Sequence, residues 1–153
     1  MDKKVIELIE SYKQSLRENL VESGDKVEDM NEEGMNGLII NKGLEFFFEF
    51  EHDGTNAKNP EDGSSEPIIT MTVSNIFGFP NLTPKQRVTI MERLAQCYGV
   101  MMVHLQGEFY ILKVRSLFAD DYNMIINACH GVSSIMNAHL IISEFFSNKK
   151  KLG

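Results

Sequence analysis

Four histidines and two cysteines are the side chains of this chain best suited to holding a metal, so their spacing decides whether they do. His130 and His139 lie nine residues apart, which on an ideal helix sets them about two and a half turns apart on opposite sides. Cys129 and His130 are neighbours and diverge by about 100°. His52 and His104 stand far from both, so no metal site is expected. Cys97 and Cys129 fall in separate helical patterns, where a buried free thiol is the expected state and a disulfide the alternative.

Glu45, Glu49 and Glu51 align on one face of a strand, and close carboxylates raise one another's pKa for acid–base work. A carboxylate row facing water also serves solubility and edge protection, which is the reading adopted here. Gly-x-Ser-x-Gly, the phosphate-cradling Gly-x-x-x-x-Gly-Lys and paired Cys-x-x-Cys spacings are absent. Asp25-Lys26-Val27-Glu28-Asp29-Met30 lacks the alternating oxygen ligands around a glycine that a calcium loop needs. Asn81-Leu82-Thr83 matches a glycosylation acceptor, but Thr83 before Pro84 reads as a helix cap. No catalytic residue and no cofactor are expected, and the chain does not read as an enzyme.

Net charge narrows the partners. The formal charge is −7 over 153 residues, which repels phosphate backbones, and the basic run Lys149-Lys150-Lys151 sits at the extreme end, so nucleic acid is excluded. The start, Met1-Asp2-Lys3-Lys4, leads into alternating charged and apolar residues rather than a signal peptide. Glu, Asn, Ser and His interrupt each apolar run before ~18 residues, so no membrane span is expected. A cytoplasmic protein of one domain follows, with hydrophobic residues at 42% and charged residues at 24%.

The elements that would position a site follow from periodicity. Val5, Leu8, Ile9, Tyr12, Leu16 and Leu20 make one helical stripe within 1–21. The stretch 22–36 carries Glu22, Asp25, Glu28, Asp29, Glu32 and Glu33 between Gly24 and Gly34 and reads as a solvated acidic connector. Sheet and helices fill 37–146, and 147–153 is a basic tail. Leu38 to Ile40 begins the strands. In the next, Leu44, Phe46, Phe48 and Phe50 face a core while Glu45, Phe47, Glu49 and Glu51 face out. His52 to Glu66 is turn chemistry throughout, a hairpin tip. Ile69, Met71 and Val73 form one face of a third strand, with Ile68, Thr70 and Thr72 on the other.

Ile76 to Leu82 reads as an apolar linker wedged under the next helix, 84–98, whose inward side is taken as Val88, Met91, Leu94, Ala95 and Tyr98. After Gly99 come strands over 100–105 and 109–116, with Tyr110, Leu112 and Val114 on one face and Phe109, Ile111, Lys113 and Arg115 on the other. The last helix shows an apolar arc from Tyr122 to Phe146 that is wider than a solvent-facing helix needs. The fold class is therefore α+β: a single antiparallel sheet of about five strands with helices, in the order α-β-β-β-α-β-β-α.

Several apolar residues are left on the second sheet face. Phe47, Ile68, Phe109 and Ile111 point away from the core, joined by Met102 or Met101, with Met102 taken as the member. Such a patch marks a partner site, unless one of the chain's own helices covers it or the register slips by one.

This order of elements resembles the type III secretion chaperone-like fold, and particularly the YbjN-like family of small bacterial domains. The local likeness lies in Glu92-Arg93-Leu94-Ala95-Gln96-Cys97-Tyr98 entering the strand Val100 to Leu105, then Gly107 to Arg115, then the closing helix. The resemblance implies non-catalytic protein binding, often as a dimer, and a regulatory role. The expected function is a chaperone-like binding domain that presents an apolar sheet face to a protein partner or a second copy. Two rivals are a small-ligand binder or enzyme with a pocket near Tyr98, His104 or Tyr110, and an acidic inhibitor of a basic protein.

Overall fold

The computed structural model describes residues 2–30 and 36–152, and side chains up to Phe145 together with Ser147. Glu32, Glu33 and Gly34 of the acidic stretch lie outside the described residues, as do the side chains of Phe146, Lys149, Lys150 and Lys151. In chain order the elements are α1 (Lys3–Glu22), β1 (Val27–Asp29), β2 (Gly37–Asn41), β3 (Glu45–Glu51), β4 (Asn56–Lys58) and β5 (Ser65–Pro67). There follow β6 (Ile69–Gly78), α2 (Pro84–Tyr98), β7 (Met101–Gln106), β8 (Phe109–Phe118) and α3 (Asp121–Leu152).

Six strands form one antiparallel sheet in the order β1-β2-β3-β6-β8-β7. The β4 and β5 strands form a separate two-stranded ribbon. The α+β class and the alternation of elements agree with the sequence reading; the strand count does not. Part of the acidic connector pairs as β1, with Asp29 ion-paired to Arg17 and lying 3.6 Å from Lys13 on α1. Three residues are too short to show a period, and here the pairing is supported by contacts distant in sequence. The hairpin tip contains the ribbon, whose turns are closed by Asp53, Asn59 and Asp62 side chains accepting backbone N–H bonds at 2.8–2.9 Å.

All three helices pack on one face of the sheet. Phe46, Phe48, Ile69, Met71, Tyr110 and Leu112 are fully buried there beneath α1 and α3. Thr83 caps α2 through a reciprocal capping box with Gln86, and Gly99 ends the helix with φ of 65°. The inward side of α2 differs from the expected one: Ile90 and Leu94 are buried and Tyr98 half-buried, whereas Val88 and Met91 are exposed. The helix contacts α3 and β7 but not the sheet centre, so only a narrow stripe is covered. Ile76 to Gly78 continue β6 instead of forming a linker, because β8 is long enough to pair with them.

Contact between α3 and the sheet is close. A Cβ placed on Gly131 would sit 2.7 Å from Val73 Cγ2, so this position accepts no side chain without movement. The segment Asp121–Phe145 has a mean hydropathy of 1.3 and is long and apolar enough, by those two measures, to cross a membrane. The polar interruptions noted in the sequence do not remove that property of the helix as a whole. Both cysteines are free and exposed rather than buried. Each lies off the inward stripe of its helix.

Candidate protein-binding face

Among the described residues, no helix covers the sheet face opposite α1, α2 and α3. Cross-strand register builds its rows: Ile39, Phe47, Ser74, Lys113 and Met101 form one, and Ile76, Ile111 and Val103 the next. Beyond them Phe109 pairs with Gly78, and its ring lies beside that glycine at ordinary van der Waals distance from where a Cβ would stand. Phe109 is 51% exposed, Ile76 49% and Met101 45%. Phe47 and Ile111 are half-buried among them. Towards the other end the face turns polar through Glu49, Thr72 and Arg115, and Arg115 lies 3.6 Å from Glu51.

Three of the five residues singled out from sequence, Phe47, Phe109 and Ile111, are thus brought together. Ile68 is not: it precedes β6, its N–H donates to Thr55 O at 3.0 Å, and it stands about 26 Å along the strand direction from Ile76. Met102 is a correction. It is 3% exposed, pairs with Leu112 and points into the core, so Met101 takes the outer position. Ile76 and Val103 belong to the patch without having been singled out, and Met101, the alternative to Met102, is the one of that pair that faces outward. For Met101 and Val103 the signal available was the alternation of β7, obscured because Met101, Met102, Val103 and Leu105 are all apolar.

β7 is also a sheet edge. It pairs with β8 on one side only, runs six residues and contains no charged residue. Between this edge and α2 lies a mostly apolar groove of about 400 Å³, lined by Met91, Glu92, Ala95 and Val100 to Val103. A bulge between His104 and Gln106 ends the regular pairing. His104 turns back on the hairpin, with Nε2 2.8 Å from Gly107 O and its ring against Tyr110.

The titratable groups on the helix side are structural. Asn75 is buried; its Nδ2 donates to Glu45 O at 2.8 Å and its Oδ1 accepts from His139 Nε2 at 2.7 Å. Burial pushes the His139 pKa below the ordinary histidine value, keeping the ring neutral edge-on to Phe77. Arg17 holds the Asp29 carboxyl below the usual range. A cleft of about 340 Å³ opens between α1 and α3, floored by Ile40 and Phe48, with Asp25 Oδ2 3.3 Å from Lys42 Nζ at its rim. Tyr98, His104 and Tyr110 do not line it. Among the described residues, no three His, Cys, Asp or Glu side chains gather closely enough to hold a metal ion.

Set beside known proteins, the chain matches no family model, no curated protein and no solved structure.

Proposed function

We propose that the protein is a non-catalytic, cytoplasmic binding domain that takes up an extended segment of a protein partner along β7 and the adjoining apolar sheet face. One observation carries this reading: an uncharged edge strand opens directly onto an uncovered apolar face. Backbone groups of an unpaired edge accept a further strand, and alternate side chains of that strand would lie beside Met101 and Val103, extending the apolar face. Burial of this apolar surface supplies about 25 cal/mol per Å², less the cost of association. The likeness in element order to the type III secretion chaperone-like fold and its YbjN-like members supports a chaperone-like or regulatory role.

The test compares affinity capture by the wild-type chain with capture by Val103→Lys and Phe109→Ser, followed by titration of any captured protein. Both side chains are exposed, so the variants are expected to melt like the wild type. Affinity should fall about tenfold or more in each. Capture of the same proteins by all three chains, or of none by any, refutes the proposal.

A further inference from the structure

The cleft between α1 and α3 has a floor that belongs to the core and a rim that does not. Ile40 and Phe48 at its base are buried, and Leu16 and Leu20 of α1 form one wall. Val132 and Met136 of α3 form the other, the first half-buried and the second exposed. Between Asp121 and Glu144 α3 has no Asp, Glu, Lys or Arg, so this wall brings no carboxylate or permanent cation into the cleft. Its volume of about 340 Å³ falls within the roughly 300–1,000 Å³ of small-molecule sites, which are mostly apolar with a few placed polar groups.

The charged groups stand at the rim. Asp25 follows the end of α1, where its N–H donates to Leu20 O at 2.9 Å. Its side chain is 9% exposed, and Oδ2 is buried and accepts no hydrogen bond among the described residues. Lys42 Nζ, 3.3 Å away, balances the charge but does not donate to it. A buried carboxylate oxygen without a donor is costly, and one that lines a cleft can be satisfied from the cleft. The Lys42 side chain is 39% exposed on a flexible stem, so its head can swing to admit a neighbour.

We infer that the cleft binds a small uncharged molecule made of an apolar body and a hydroxyl group, of which an aliphatic alcohol is the simplest form. The body would lie on Ile40 and Phe48, and the hydroxyl would donate to Asp25 Oδ2 while accepting from Lys42 Nζ. Charge selects this occupant. Asp25 and Lys42 are neutral as a pair, so a carboxylate head would face Asp25 and an ammonium head would compete with Lys42, each leaving one charge unpaired. A hydroxyl is donor and acceptor at once and unbalances neither. Among its described lining residues the α2–β7 groove has Glu92 but no cation to pair with it. The cleft is thus a site separate from the face proposed for a protein partner, and neither depends on the other.

Cys129 lines the cleft, Cys97 lies on α2, and both are exposed, so alkylation of the two thiols gives a signal and its control. With 1-octanol at ten times its half-protecting concentration, the reaction of Cys129 with iodoacetamide, followed by mass spectrometry, should slow about tenfold. Cys97 should react at an unchanged rate. Hexanol, two methylenes shorter, should need about fifteenfold more, at about fourfold per buried CH₂. Octanoate and octylamine should bind about tenfold more weakly than octanol. Asp25→Asn should reverse the order of alcohol and carboxylate, because Lys42 is then free to pair with octanoate. Val132→Trp, which puts an indole into the cleft, should abolish the octanol dependence; unfolding curves check that it folds, and if it does not, the Asp25→Asn reversal decides alone. No protection of Cys129, equal protection of both thiols, or octanoate or octylamine binding as well as octanol overturns the inference. So does an unchanged order in Asp25→Asn, or protection that survives in folded Val132→Trp.

Discussion

Phe47 and Phe48 are adjacent in one strand and have opposite surroundings. Phe48 is fully buried under α1 and α3, while Phe47 stands on a face that none of the three helices covers. The same contrast holds for Tyr110 and Phe109 in β8. The sheet thus has one face committed to stability and one whose apolar residues contribute little to it. The edges repeat the division. β1 is three residues long, carries Glu28 and Asp29, and is tied to α1 through Arg17 and Lys13. β7 is twice as long and has no charge to deter a neighbour.

Chemical denaturation should make the contrast between faces quantitative. Phe48→Ala leaves a cavity in the core and is expected to cost about 3–5 kcal/mol. Phe109→Ala should change stability by no more than about 0.5 kcal/mol, as for an exposed site. Comparable losses at the two positions would mean that the outer face is not free. A smaller effect is expected where α3 meets the covered face. Gly131→Ala should cost about 1–3 kcal/mol by overpacking against Val73. Val73→Ala in the same chain should recover part of the loss, giving a coupling that a double-mutant cycle detects.

The smallest effect is pH-dependent. The pKa of His139 is lowered in the folded chain, so around and below the ordinary value of 6.5 the unfolded chain binds the proton more readily. Stability should be full above that value and decline as pH falls through it towards the folded value. His139→Gln, which keeps a donor for Asn75, should flatten the decline. An unchanged slope would mean that the buried pair is not its source.

Much of this division is legible in the chain. The alternating phenylalanines of β3 and the hairpin residues Tyr110 and Leu112 announce their faces through a period of two. Thr83 and Gly99 mark the ends of α2 by local chemistry that tertiary structure does not alter. What escaped was set by distant partners. β1 is defined by its pairing with β2 and by Arg17 and Lys13, contacts that no local pattern encodes. Met102 was assigned outward because β7 is apolar on both sides, leaving nothing in its composition to choose between two registers. The rotation of α2 about its axis, and with it the exposure of Val88, Met91 and Cys97, depends on how little of the sheet that helix covers.

The bare backbone at Gly131 also links the two halves of the molecule mechanically. With no side chain as a cushion, the long helix rests directly on Val73 in a central strand. Any larger residue at 131 would have to lift the helix from the strand, so the spacing between the two layers here depends on a single missing Cβ.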